Sequence, residues 1–292
     1  MSNVYEQVTD EIVRLVEEGI RNGSGECPWH RSSLVPINAT SRKAYRGINT
    51  LVLWGTAHMR GYAGGEWATY RQWAAKGAQV RKAEHGSGIV FWKVDEHEDP
   101  ADGTTRRSAL ARGYTVFNAA QVDGYEPEAV VVLPEAERIA QADAVARAAL
   151  IEIRTGGEAC YSPVYDRITM PAFGAFKDAD AYYAVLFHEL THATGHEGRL
   201  RRNLLNRFGS EAYAMEELVA ELGAAFVCAS LGIAAGRRPD HADYVASWLR
   251  RLRGDKRAIF TAAASAQAAA DWLRERAGLL TRIPIEDEEK AA

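Results

Sequence analysis

The sequence predicts an α+β chain in two parts, a mixed N-terminal segment and a mostly helical C-terminal one. Three observations carry that reading. The first part is rich in aromatic and glycine residues and contains short alternating stretches such as Gly88-Ile-Val-Phe-Trp-Lys93. A polar, proline-bearing stretch, Gly124-Tyr-Glu-Pro127-Glu, reads as a linker. After it, long helical runs dominate, interrupted by one pair of short β-type segments. The expected divisions are 1–125, 126–280 and an acidic, disordered tail at 281–292. A chain of 292 residues suits two domains of ordinary size, and 47% apolar content is enough for a core in each.

In the first part, Arg42-Lys-Ala-Tyr-Arg46-Gly reads as a tight turn carrying three positive charges and one ring. Alternation along the 88–93 strand places Val90 and Trp92 on one face, and Ile89, Phe91 and Lys93 on the other. His97–Thr105 reads as an exposed loop between strands. Asn49 and Asn118 are expected to cap helices. In the second part a helix is expected from about Glu135 to Ile153. Two strands follow, Ala159–Pro163 and Ile168–Pro171, joined by a turn around Asp166. The run Ala181-Tyr-Tyr-Ala-Val-Leu-Phe187 then opens a buried helix with no Gly or Pro. Gly195 can end or bend it. Further helices are expected at about Glu211–Leu231, Asp240–Leu252 and Lys256–Arg276.

The buried helix carries His188-Glu189-Leu190-Thr191-His192. At 3.6 residues per turn, positions four apart share a face, so both imidazoles can grip one metal ion. Glu189, rotated off that line, can hold the water such a metal activates, which is the H-E-x-x-H arrangement of zinc peptidases. His196 stands two turns on, about 12 Å along a straight helix, and cannot share the ion unless the helix breaks. The better third ligand lies in Met215–Phe226, a second apolar helix bearing Glu217 and Glu221 one turn apart. Carboxylates on an apolar helix are costly to bury without a partner. Glu217 is assigned as third ligand and Glu221 as the carboxylate that receives a histidine N–H; the reverse assignment remains open. The alternative is that Glu216, Glu217 and Glu221 form a solvated face. Gly223, Ala224 and Ala225 would let the two helices pack closely. Two imidazoles and a carboxylate with one open position favour Zn2+, with Mn2+ or another divalent ion permitted. Tyr213 and Arg199 lie near enough in sequence to help an oxyanion, and nothing separates them.

Charge is unevenly distributed. Between Trp29 and Lys93, ten basic residues face two acidic ones, a balance of +8 within a chain of −4. Five of the seven tryptophans fall in the same window. Cations interleaved with rings suit single-stranded nucleic acid, because Lys and Arg neutralise phosphates while flat rings stack on unpaired bases. The candidate contacts are Arg42, Lys43, Tyr45, Arg46, Trp67, Tyr70, Arg81, Lys82 and Trp92. The competing reading is that several of these rings are core. No run approaches the ~18 apolar residues of a membrane span. No basic-and-apolar signal region opens the chain. Cys27, Cys160 and Cys228 form no disulfide framework or C-x-x-C knuckle, so a cytoplasmic location without membrane partners is expected.

Several pieces resemble a known family. Pro36-Ile-Asn38, Tyr45-Arg-Gly-Ile-Asn49, Trp67-Ala-Thr-Tyr-Arg-Gln72, Gly77-Ala-Gln-Val-Arg-Lys82 and Val116-Phe-Asn-Ala-Ala-Gln121 are similar to the N-terminal domain of ArdC-type antirestriction proteins, a domain shared with TraC-type plasmid primases. Phe187–His196, Tyr213–Glu221 and Asp255–Phe260 resemble that family's metallopeptidase-like domain. Ala83 stands where such a turn favours glycine. The resemblance implies an N-terminal α+β domain that binds single-stranded DNA, followed by a mostly helical zincin-like domain related to SprT-type proteases. It also implies protection of incoming plasmid DNA during conjugation, with an unknown protein substrate that is DNA-associated or part of a restriction system. Two other readings stand beside it: a DNA-coating protein with a structural or vestigial metal site, and a primase accessory. The last lacks the clustered Asp-x-Asp carboxylates of nucleotidyl transfer.

Overall fold

The computed structural model describes residues 4–21, 27, 29–30, 34–98, 105–129, 133–204, 210–235 and 241–279; of these, the side chains of 92–98, 105–110 and 241–243 are left aside. The expected acidic tail and the tip of the expected 97–105 loop lie outside the described residues.

The described residues begin with a helix the sequence reading leaves unassigned, α1 (Val4–Arg21), whose Val8, Ile12, Leu15 and Val16 are buried. Their i, i+4, i+7, i+8 spacing is the signal that marks one apolar helix face. After β1 (Ile37–Asn38), α2 (Ile48–Arg60), β2 (Glu66–Thr69), α3 (Tyr70–Ala75) and β3 (Gln79–Val80) comes a long hairpin of β4 (Ser87–Glu98) and β5 (Thr105–Asn118), then β6 (Val122–Asp123). One sheet has the order β1-β2-β5-β4, and β3 pairs with β6 in a second. The sheet is covered on both faces at its centre, so Ile89 and Val90 are both buried although they point to opposite sides. Asn118 caps a single 3₁₀ turn, with Gln121 completing a capping box. Asn49 does not cap: it lies inside α2, and its side-chain amide both donates to and accepts from the backbone of Val90 at 2.8 Å, fixing α2 to β4.

In the second half, α4 (Glu135–Ala148) ends earlier than expected. Leu150 adopts φ +54 and turns the chain into β7 (Glu152–Thr155). The β-branched Ile151, Ile153 and Thr155 prefer extended backbone, and the parallel pairing of β7 with β9 outweighs helix continuation. β8 (Cys160–Ser162) and β9 (Arg167–Met170) form the expected antiparallel pair, with Asp166 at φ +46 in the turn. Among the described residues four helices follow: α5 (Ala179–Thr194), α6 (Glu211–Ser230), α7 (His241–Gly254) and α8 (Ala258–Arg276).

One apolar cluster crosses the expected boundary, joining Ile12, Trp29, Leu51 and Trp54 to Leu190, Phe226, Trp248 and Phe260. Trp54 packs 5.7 Å from Phe226, and Trp29 lies 6.4 Å from Trp248, ring centre to ring centre. No helix among the described residues is long and apolar enough to cross a membrane.

Candidate metal centre

α5 starts at Asp178, whose side chain accepts from the Ala181 backbone N–H, and runs unbroken to Thr194. Gly195 ends it with an ordinary φ of −73. A Cβ there would stand 2.8 Å from Leu204 and 3.0 Å from the His192 carbonyl, so close approach, not a left-handed turn, favours glycine. α6 crosses α5 at Gly223, where a Cβ would come within 2.5 Å of Thr191. That contact brings the faces bearing His188, His192 and Glu217 together.

His188 Nε2 lies 3.1 Å from His192 Nε2, and Glu217 places its two oxygens 3.4 Å and 3.5 Å from these nitrogens. One donor atom from each of the three residues lies within 4.8 Å of the others. Donors held about 2.0–2.1 Å from one tetrahedral ion stand about 3.3 Å apart, so the spacing of these three atoms fits a zinc-sized divalent ion. Glu189 is 3% exposed and follows His188 on the same helix. His196 lies apart from the cluster, its Nδ1 accepting from the Gly198 N–H.

The carboxylate beside His192 is Glu216, 3.3 Å from Nδ1. Glu216 is itself gripped by Arg202, which also reaches the Thr194 hydroxyl and the Thr191 carbonyl. Burial opposes charging of His192, but contacts with Glu216 and Glu217 and the nearby Glu189 charge outweigh it, pushing its pKa up to about 10 in the metal-free protein. Burial likewise opposes ionisation of Glu217, yet its hydrogen bonds to both histidines hold it well below the usual carboxylate range. Glu221 stands behind His188, 3.9 Å from Nδ1. Tyr213 interacts with Glu217 and Tyr244, and burial together with the Glu217 charge drives its hydroxyl pKa up. Arg199 is committed elsewhere, to Asp166, the Tyr161 hydroxyl and the Ala193 carbonyl.

Sequence reasoning missed Glu216 and Arg202. Glu216 is adjacent to Glu217 and is grouped there only with the solvated-face alternative, and Arg202 sits in a loop without periodicity. The acidic residues of α6 form no solvated face: Glu217 and Glu221 are buried, and Glu216 is half-buried.

The expected nucleic-acid contacts separate. Tyr45 and Trp67 are 4% and 1% exposed in one cluster with Leu53, Ile89 and Val116, so neither offers a face to a base, which corrects that part of the reading. Trp29, Trp54 and Trp73 are also core. Arg42, at φ +61, is paired with Glu66 and Glu128, and Arg46 with Asp271. Lys43 is half-buried on the same turn. Tyr70 is 51% exposed on α3, its hydroxyl accepting from Gln79. Arg81 and Lys82, exposed, follow two and three residues after Gln79; Arg81 also contacts Glu84. Ala83 does adopt a left-handed φ of +67. The Trp92 side chain lies outside the described residues.

The family model described as the N-terminal domain of anti-restriction factor ArdC matches residues 2–117, and one described as a zincin-like metallopeptidase matches residues 140–265. The protein y4eC of Sinorhizobium fredii (strain NBRC 101917 / NGR234) is 51% identical over 283 residues, covering 93% of this chain and 92% of its own length. Two DNA primases TraC of Escherichia coli are 37% and 38% identical over 92% of the chain, which spans only 20% and 27% of their lengths. The metal-free crystal structure of the antirestriction ArdC protein from plasmid R388 is 42% identical, with a TM-score of 0.78 over 96% of this chain and 100% of that one. Its Mn(II)-bound structure is 41% identical, with a TM-score of 0.76 over 94% and 98%.

Proposed function

The chain belongs to the ArdC antirestriction family, and from that premise we propose that it is a cytoplasmic protein that binds single-stranded DNA and carries a zinc-dependent peptidase centre. In this reading it protects incoming plasmid DNA during conjugation by acting on a protein encountered at the strand. The observation that carries the reading is the convergence of His188, His192 and Glu217 beside a buried Glu189.

When bound, the ion would supply Lewis acidity, acidifying water and polarising an amide carbonyl. The chain's own groups do the rest. Glu189 takes the proton of the attacking water and delivers it to the leaving nitrogen. Glu216, held by Arg202, orients the His192 ring through Nδ1, which leaves Nε2 for the ion. Tyr213, in contact with Glu217, is the candidate donor for a developing oxyanion, because Arg199 is spent on Asp166. On the N-terminal half, exposed Tyr70 offers one ring and Lys82 one cation to a single strand, with Arg81, paired with Glu84 and Asp123, beside them.

The test is elemental analysis of the purified full-length chain, with cleavage of labelled casein measured with and without oligo-dT. Glu189→Gln is expected to retain stoichiometric metal and oligo-dT binding while cleavage falls about 10²- to 10⁴-fold. No metal in the wild type, or undiminished cleavage by the variant, would remove the peptidase reading. If wild type cleaves nothing and Glu189→Gln still protects DNA in cells, the strand-coating reading replaces it.

A further inference from the structure

We propose that His30, contributed by the N-terminal half, is a positioning residue of the metal centre, aligning the Glu221 carboxylate that stands behind the ligand His188. The inference rests on the metal-centre reading above.

His30 is 3% exposed. Its Nδ1 accepts a hydrogen bond from the Cys27 backbone N–H at 3.1 Å, and a nitrogen that accepts cannot carry the ring proton. The proton therefore sits on Nε2, which faces Glu221 Oε2 at 3.8 Å. The other oxygen of Glu221 faces His188 Nδ1 at 3.9 Å. His188 Nδ1 is fully buried and makes no hydrogen bond, while its Nε2 points at His192 and Glu217. With Nε2 given to a metal, the His188 proton must reside on Nδ1, directed at Glu221. Two N–H groups thus face one buried carboxylate, one at each oxygen, in the order Cys27 backbone, His30, Glu221, His188. Both gaps are ion-pair distances longer than a hydrogen bond.

His30 is fixed by more than this line. The Trp29 ring lies edge-on to it at 6.0 Å and packs against Trp248, whose indole N–H donates to the Ala214 carbonyl on α6 at 2.7 Å. α6 also bears Glu217 and Glu221, so the His30 segment is referenced to the same helix that supplies the third ligand. A metal-ligating histidine whose second nitrogen is held by a carboxylate is a more basic and better oriented ligand. Here the carboxylate has its own support, and that support comes from the half of the chain assigned to DNA.

The experiment compares full-length wild type, His30→Ala, His30→Gln, Glu221→Ala and the double alanine variant by competition for Zn2+ with a chromophoric chelator, alongside thermal unfolding of each metal-free protein. Glu221→Ala is expected to weaken zinc binding about 10- to 100-fold, and His30→Ala, one step further out, about 3- to 10-fold. His30→Gln should keep most of the affinity, since its amide can accept from Cys27 and donate to Glu221. The double variant should bind no more weakly than Glu221→Ala alone. Wild-type affinity in His30→Ala, or a His30 effect that persists in full without Glu221, overturns the proposal. Wild type that takes up no stoichiometric zinc instead overturns the metal-centre reading beneath it. Should His30→Ala not fold, long-range proton–nitrogen correlation of the metal-free wild type decides: a His30 proton on Nε2 supports the assignment, and one on Nδ1 refutes it.

Discussion

Gly223→Ala tests whether close contact between α5 and α6 sets the geometry of the metal ligands. An added Cβ would stand 2.5 Å from Thr191 Cγ2, 2.8 Å from its Oγ1 and 3.2 Å from its Cβ. Ordinary carbon contacts are about 3.5–4.0 Å, so the helices must separate by about 1 Å or Thr191 must yield. Thr191 is fully buried, its hydroxyl donates to the Phe187 carbonyl at 2.7 Å, and its own carbonyl accepts from Arg202 and Thr194, so it yields poorly. Overpacking costs about 1–3 kcal/mol. Replacing a helical glycine by alanine returns about 1 kcal/mol. The metal-free variant should therefore be destabilised by between about 0 and 2 kcal/mol in urea unfolding. The effect on metal should be larger, because Thr191 lies between the two ligand histidines. Opening the 3.4 Å and 3.5 Å gaps to Glu217 by about 1 Å should weaken zinc at least 10-fold by chelator competition. Adding Thr191→Ala removes the two closest of these three atoms and should recover most of the affinity. If Gly223→Ala stabilises the apo protein by its propensity gain and binds zinc unchanged, the helix contact does not set the ligand geometry.

Arg202→Ala should cost about 3 kcal/mol in urea unfolding, because it strips Glu216 of a buried partner, and Arg202→Lys should not rescue a contact that spans Glu216, Thr194 and the Thr191 carbonyl. Asp166 is held below the usual carboxylate range chiefly by Arg199, so its stabilisation is present above the unfolded carboxylate pKa and is lost as pH falls through the lower folded value. Asp166→Asn should accordingly lower the urea midpoint at neutral pH, by an amount that shrinks as pH falls through the lowered folded value; a loss that stays equal across the acid range would refute the assignment. Tyr70→Ala should weaken oligo-dT binding by about 1–3 kcal/mol with unchanged melting, whereas Trp67→Ala should cost about 3–5 kcal/mol of stability.

The convergence of His188, His192 and Glu217 was largely legible because its information is periodic. Two histidines four apart and a carboxylate on an apolar helix force a shared face, and the pair of strands before them was equally plain. What the sequence concealed was contact between distant segments. Glu216 stands beside His192 with its charge balanced by Arg202, from an aperiodic loop. β7 was hidden inside a helical run, since its partner β9 lies more than ten residues further on. α1 was legible and went unread.

The aromatic window shows why composition alone misplaces function. A ring that stacks on a base and a ring that fills a core leave the same mark in a count. Four of the five tryptophans between Trp29 and Lys93 are buried, and two of them, Trp29 and Trp54, pack against Trp248 and Phe226 of the helical half. The positive charge of the window is likewise partly spent within the fold, Arg42 on Glu66 and Glu128 and Arg46 on Asp271 of α8. These contacts follow from a shared core: α1 and α2 cover apolar surface on α6, α7 and α8 that would otherwise face water. Cutting the chain at the 124–128 linker would expose both surfaces at once. The two halves are therefore joined by one apolar core, in which Trp29 and Trp54 pack against Trp248 and Phe226.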